Sequence, residues 1–226
     1  MKKIIYFFGF LHLLNIKSAP FEREIIEMVN SGTVLMSTNE YKTIIETLYK
    51  KSPCNLLVFG VGNDSKLWLQ VNKGGKTVFI EDSIYWLEKT KQEITNIEAH
   101  LVTYSTQLAD WEKILHDYTK LTLDLPSIIT DTPWDIILID APFGGLPTAP
   151  GRMQSIYTTY LLCQKKKSVD IFVHDCDRIA EKTYTDVYFG KNHLVQEVER
   201  LRHSSNLFVN NYLLINTKEL SGSIYF

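Results

Sequence analysis

From residue 21 onward the chain alternates between a helical rhythm and short unbroken apolar runs. Phe21 to Asn30 carries Ile25, Ile26, Met28 and Val29 and stops before Gly32, a residue suited to the left-handed turn that closes a helix. Ser37 with Glu40 three residues later forms a capping-box signature, and Tyr41, Ile44, Ile45, Leu48 and Tyr49 then follow a period near 3.6. Asn55 to Phe59 is continuously apolar after its first residue and ends in Gly60, as expected of a strand covered on both faces in a parallel sheet. The unit repeats. Lys76 to Ile80 reads as a second strand, followed by a helix carrying Ile84, Trp86, Leu87 and Ile94. Ala99 to Tyr104 reads as a third, with a helix through Trp111, Ile114, Leu115 and Tyr118. Asp135 to Ile139 and Val169 to Val173 read as the fourth and fifth, separated by a helix through Ile156, Tyr157, Leu161 and Leu162. Two late apolar segments, His193 to Leu201 and Leu207 to Ile215, have no helix pattern between them and predict a terminal antiparallel pair. Strand–helix alternation of this kind predicts an α/β, Rossmann-like doubly wound sheet.

The 226 residues, 45% of them hydrophobic, suit one domain of ordinary size and exclude disorder, collagen-like repeats and coiled coil. With 24 basic and 26 acidic side chains and a net charge of −2, the chain has no surplus of positive charge for gripping a nucleic-acid backbone. Cys54, Cys163 and Cys176 are odd in number and widely spaced; they form no metal-ligand pair or disulfide framework and read as small buried hydrophobes. At the N-terminus, Lys2-Lys3 precede an apolar run from Ile4 to Leu14. Eleven residues are short for a membrane span and fit a signal-peptide core or a short anchor, with a buried first strand or helix as the alternative; the first reading gives residues 1–19 as that segment and 20–226 as the domain. Against this, Lys17 and Pro20 make a poor cleavage region, and the N-glycosylation acceptor Asn63-Asp64-Ser65 falls where a glycan would obstruct a ligand loop.

In an open parallel sheet, ligands bind beyond the carboxyl ends of the strands, near the point where strand order reverses. The residues after each apolar run are therefore the candidates: Gly60 to Ser65, Glu81-Asp82, Tyr104-Ser105, Asp140 to Gly145 and His174 to Arg178. Gly60 and Gly62 permit a sharp turn with close backbone approach to a ligand, although a plain tight turn accounts for the pair alone. The third glycine of a dinucleotide fingerprint is missing. Glu81 stands at the end of the second strand, where a carboxylate can accept both hydroxyls of a ribose. An adenosine cofactor lacking a pyrophosphate fits this combination, and S-adenosylmethionine is such a molecule. The expected cofactor contacts are Gly60, Gly62, Asn63, Asp64, Ser65, Glu81, Tyr104 and Asp140. Asp140 and Asp175 would stand close together, able to hold a divalent cation or to supply a general base, with His174 a further base candidate. Helix capping is the alternative role for Asp175 and Asp177. Arg152, at an electrostatically unfavourable helix start, and Arg178, Arg202 and His203 are candidates for binding an anionic substrate; a solvated turn is the alternative for the last two.

The run Ser52 to Ser65, with Asp140-Ala141-Pro142, Ala149-Pro150-Gly151-Arg152-Met153, Val173-His174-Asp175-Cys176-Asp177-Arg178 and Leu201-Arg202-His203, resembles the glucuronoxylan 4-O-methyltransferase family in order and spacing from about Thr38 to His203. The resemblance implies a class I methyltransferase fold with S-adenosylmethionine as methyl donor. It implies transfer to the 4-hydroxyl of glucuronic acid on a xylan or arabinogalactan, metal assistance in some relatives, and a Golgi-resident protein with a short N-terminal anchor. The chain departs from the family pattern at Asn63, where His is usual, at Phe143 in place of Thr, and at Cys176 and Ser204. The change after Pro142 bears on the acceptor more than on the donor. Alternative readings are methylation of another glycan or a small hydroxylated molecule, and a non-catalytic role in polysaccharide synthesis.

Overall fold

A computed structural model describes residues 21–164 and 168–205. The N-terminal apolar run and the segment from Leu207 to Ile215 lie outside these residues. The helices α1 (Glu22–Asn30) and α2 (Thr38–Lys51) precede the first strand, β1 (Asn55–Phe59). There follow α3 (Ser65–Val71), β2 (Lys76–Glu81), α4 (Ile84–Glu93), β3 (Glu98–Leu101), α5 (Tyr118–Leu121), α6 (Ser127–Asp131) and β4 (Ile136–Ile139). The chain then forms α7 (Met153–Cys163), β5 (Asp170–Val173), α8 (Ile179–Tyr188), β6 (Leu194–Val198) and β7 (Leu201–Ser205). The seven strands pair in the order β3-β2-β1-β4-β5-β7-β6. The first five are parallel; β7 runs antiparallel to both β5 and β6.

The period of two along each strand sorts side chains into two cores. Leu57, Phe59, Val78, Ile80, Ile137 and Ile139 face α5 to α8. Leu56, Val58, Phe79, Ile136 and Leu138 face α1 to α3. Burial of each such side chain contributes about 1.5–3 kcal/mol, which is why these strands carry almost no polar residue between their ends. Cys54, Cys163 and Cys176 are buried and form no disulfide with one another.

Three expectations are corrected. No helix runs through Trp111 to Tyr118; the segment forms a short 3₁₀ turn, Leu108–Asp110, and a series of turns before α5. The amides of Leu108 and Ala109 donate to the carbonyls of Ala149 and Pro147 (2.7 and 2.9 Å). The carbonyls of Trp111 and Leu115 accept the hydroxyls of Tyr184 and Tyr188. Tertiary partners thus take groups that a helix would have used internally. The segment expected to form one strand, His193 to Leu201, instead turns back on itself in a tight antiparallel hairpin within residues 194–205, with Glu199 at φ 53° in its turn, while its expected partner, Leu207 to Ile215, lies outside the described residues. The third strand is also shorter than expected, ending at Leu101.

Candidate active site

The chain leaves β1 toward β2 and β3 on one side, then returns to place β4 on the other. At this reversal a cleft of about 530 Å³ opens beyond the strand ends. Gly60 and the Asp140–Ala141 backbone form its floor. Gly60 has φ 113°, and a Cβ there would lie 3.1 Å from the Ala141 Cβ. The following turn is held by Ser65, whose Oγ accepts the Gly62 amide at 3.0 Å. Glu81, buried at the end of β2, accepts the Val61 amide at 2.8 Å and the Ser83 amide at 2.7 Å. Burial raises its pKa, opposed by these two N–H groups. A carboxylate offers about four acceptor positions, so two remain for a ligand. Asp64 also lines the cleft, accepts the Tyr41 hydroxyl at 3.1 Å, and is pushed up to about 6 by burial and by the nearby Asp140 charge.

Beside the half of the cleft formed by Gly60 and Glu81 lies a charge cluster at the ends of β4 and β5. Arg152, only 4% exposed at the start of α7, reaches back so that one guanidinium nitrogen lies 2.8 Å from Asp140 Oδ1 and 2.7 Å from Asp175 Oδ2. The same group donates to the backbone carbonyls of Asp140 and His174. The His174 imidazole lies 2.9 Å from Asp140 Oδ1 and 3.5 Å from Glu40 Oε1. Burial would lower its pKa, but the Asp140 and Glu40 carboxylates outweigh this and raise it to about 9, leaving it cationic near neutral pH. The Asp140 carboxyl, despite burial that pushes it up, is held below the usual range by Arg152 and His174. Asp175, in the left-handed backbone region at φ 61°, also meets Arg178 at 3.1 Å and Arg200 at 3.0 Å.

Gly60, Gly62, Asn63, Asp64 and Glu81 therefore line one cleft together with Asp140, Arg152, Asp175 and Arg178, while His174 lies beneath it. Asn63 is exposed on the rim and donates to the Thr33 carbonyl at 2.8 Å. Four candidates fall elsewhere. Ser65 is buried beneath the turn, its Oγ occupied by the Gly62 amide, and does not line the cleft. Tyr104 is packed in the core against α7, accepting the Ser155 hydroxyl at 3.1 Å. Arg202 is tied to Asp186 and Glu197, and His203 to Asp170 at 2.7 Å and the face of Phe172. The strand pairing explains these last two: Arg202 stands opposite Val173 and His203 opposite Phe172, within the sheet rather than beyond the strand ends that form the site. Arg152 is committed to Asp140 and Asp175, so it is not an open clamp for a substrate carboxylate; Arg178, 31% exposed, lines the cleft instead. Sequence reasoning also missed Glu40, fully buried under His174, and Tyr41 and Trp86 in the cleft wall, whereas Phe143, from the stretch expected to bear on the acceptor, does line it.

Asp140, His174 and Asp175 each present one ligand atom, all within 4.8 Å of one another. Two oxygens and an imidazole nitrogen fit a divalent transition metal. Such an ion would compete with the Arg152 guanidinium and with the His174 proton.

A doubly wound sheet in this order, closed by an antiparallel hairpin and open at a glycine turn facing an acidic strand end, is the class I methyltransferase fold. The O-methyltransferase from Bacillus cereus in complex with SAH superposes with a TM-score of 0.50 at 14% identity, covering 85% of this chain and 93% of that one. The IRX15/IRX15L/GXM family matches residues 39–123 and 117–204, and the chain belongs to that family. Glucuronoxylan 4-O-methyltransferase 3 of Arabidopsis thaliana is 34% identical over 79% of this chain and 67% of its own length. Arabinogalactan O-methyltransferase 2 of the same plant is 31% identical over 80% of this chain and 70% of its own. The chain spans 60–67% of the length of the glucuronoxylan relatives it matches.

Proposed function

We propose that the protein is an S-adenosylmethionine-dependent O-methyltransferase acting on the 4-hydroxyl of glucuronic acid residues in a glucuronoxylan- or arabinogalactan-type polysaccharide. The observation that carries this reading is the junction of two half-sites in one cleft: Glu81 beside the Gly60 turn, and Asp140 with Asp175 at the neighbouring strand ends. Family membership and the activities named for the relatives supply the acceptor class.

The ribose hydroxyls of the donor would take the two acceptor positions left on Glu81. The acceptor oxygen attacks the methyl carbon in line as the carbon–sulfur bond breaks, yielding the methyl ether, S-adenosylhomocysteine and one proton. The proton must pass to a base within hydrogen-bond reach. His174 is cationic and Asp140 Oδ1 is engaged by Arg152 and His174, so the other Asp140 oxygen is the acceptor we assign. A divalent cation held by Asp140, His174 and Asp175 would lower the pKa of the hydroxyl. Arg178, which lines the cleft, would bind the uronate carboxylate, for which a guanidinium is well shaped. The N-terminal apolar run supports placement in the secretory pathway, anchored at a Golgi membrane.

Incubation with methyl-labelled donor and a glucuronic-acid-bearing xylo-oligosaccharide should yield a labelled 4-O-methyl product by mass spectrometry. Unmethylated oligosaccharide from protein that binds S-adenosylhomocysteine would refute the assigned acceptor. Loss of product with a chelator, restored by added divalent metal, would support the cation.

A further inference from the structure

Next to the donor cleft lies a second cavity of about 310 Å³, formed by the Leu108–Trp111 turn, the Gly145–Pro147 loop and the start of α8. Arg178 lines both spaces. The walls are apolar, from Leu108, Trp111, Leu146, Pro147 and Ile179, and Leu146 and Ile179 stand exposed at its edge. Two polar groups interrupt this surface. Glu181 is 1% exposed, and neither of its carboxylate oxygens has a hydrogen-bond partner among the described residues. The Arg178 Nη1 likewise lacks a hydrogen bond, although it lies within ion-pair distance of Asp175 and 3.9 Å from Glu181 Oε1.

Gly144 explains how these groups come to face the same space. A Cβ at this position would sit 2.9 Å from Arg178 Nη1 and 3.0 Å from Glu181 Oε1, so the missing side chain leaves the gap between them open. Buried polar atoms without partners are costly. A hydroxyl satisfies both at once, donating to the carboxylate and accepting from the guanidinium. A second carboxylate would be repelled by Glu181, which separates this pocket from a uronate site. The volume sits at the lower end of the range for small-ligand pockets, and an aromatic wall with aliphatic neighbours suits the apolar face of a pyranose.

We infer that this cavity is a subsite for a neutral sugar residue flanking the methylated uronic acid, with Glu181 and Arg178 sharing one of its hydroxyls and Trp111 and Leu146 covering its ring. The chemical class of the occupant rests on the proposed glycan methyl transfer. The acceptor is then recognised as an oligosaccharide rather than as an isolated uronic acid.

Two measurements test this. In saturation-transfer NMR, xylotriose, a neutral pentose trisaccharide, should bind the wild-type protein, and Glu181→Gln should weaken that binding about tenfold, as expected for losing one charge-assisted hydrogen bond. In methyl-transfer assays, the same variant should raise KM for a glucuronic-acid-bearing xylo-oligosaccharide about tenfold while leaving KM for methyl glucuronide unchanged. If the buried Glu181→Gln variant does not fold, Leu146→Ala, on an exposed position, should show the same split at a smaller amplitude. No xylotriose binding to the wild type, or equal KM changes for the two acceptors, would overturn the subsite. Xylotriose binding without methyl transfer to either uronide would instead overturn the assigned reaction and leave the subsite standing.

Discussion

The donor half of the cleft stands or falls with Glu81→Ala. In the folded protein the carboxylate holds two amides, Val61 at 2.8 Å and Ser83 at 2.7 Å, and its two remaining acceptor positions are those assigned to the ribose. A hydrogen bond to a charged group contributes about 1.5–3 kcal/mol. Loss of two is offset in part because water can enter the vacated space, so the low end of the sum, about 3 kcal/mol or roughly 150-fold in Kd, is expected. The same substitution strands the buried Val61 amide and should cost about 1–2 kcal/mol of stability. Glu81→Gln is informative beside it. Its carboxamide can accept one of the amides, but its NH₂ would face the other donor, so affinity and stability should both lie between wild type and alanine. Calorimetric titration with S-adenosylhomocysteine measures the first quantity and urea denaturation the second. If Glu81→Ala keeps the native circular dichroism spectrum and binds within threefold of wild type, Glu81 does not hold the donor and the cofactor site must be placed elsewhere.

Three further substitutions probe the frame around that site. Gly60→Ala should destabilise the fold by about 1–3 kcal/mol through its φ of 113°, a region closed to L side chains, and should weaken donor binding by pressing on Ala141; an unchanged denaturation midpoint would contradict that backbone geometry. Arg152→Lys should lower kcat with little effect on the KM for a uronide, because a lysine cannot hold Asp140, Asp175 and two carbonyls together; a selective rise in KM would return Arg152 to the substrate clamp. Asp170 is buried, which pushes its carboxyl up, but hydrogen bonds from His203 and Lys51 prevail and hold it at about 2. Its pKa is depressed on folding, so its contribution is present above the unfolded value near 4 and is lost as pH falls toward 2. Melting temperatures of wild type and Asp170→Asn should therefore converge over that window, and parallel curves would refute the assignment.

The parts of this molecule that could be read along the chain are those governed by local rules. Four of the parallel strands were marked because burial on both faces demands apolar runs, whereas the half-buried edge strand β3 was marked only in part, and the capping box at Ser37 and Glu40 forms as its spacing predicts, with Glu40 accepting the Ser37 amide at 2.7 Å. The strand-end rule then placed Glu81, Asp140 and Asp175 near one cleft without any knowledge of packing. What escaped was set by long-range partners. Glu40 had a sufficient local explanation as a cap, yet its other oxygen accepts the Arg200 amide at 2.9 Å, 160 residues away, and approaches His174. The helical spacing around Trp111 was overridden because Tyr184 and Tyr188 claimed the carbonyls a helix would have used. Arg200 and Arg202 look equivalent in sequence, but one touches Asp175 while the other pairs with Asp186 and Glu197. Arg200 precedes β7 at the hairpin turn, whereas Arg202 lies inside the strand opposite Val173.

The charge cluster also constrains how the proton can leave. Asp140 is flanked by Arg152 and a cationic His174, and this arrangement holds it ionised but makes it a weak base. A weak base accepts a proton from an alcohol only after the alcohol has become acidic. One way to reach that state is late in the transfer, when the new carbon–oxygen bond has placed positive charge on the attacking oxygen. The other is a cation that acidifies the hydroxyl beforehand, which requires Arg152 to release the carboxylates it now bridges. The buried guanidinium is thus the element on which the two routes diverge. While it spans Asp140 and Asp175 the geometry suits the late, weakly assisted proton transfer of the proposed reaction; a cation-assisted route would need it to withdraw, so that Asp140, His174 and Asp175 would be the donors holding the ion.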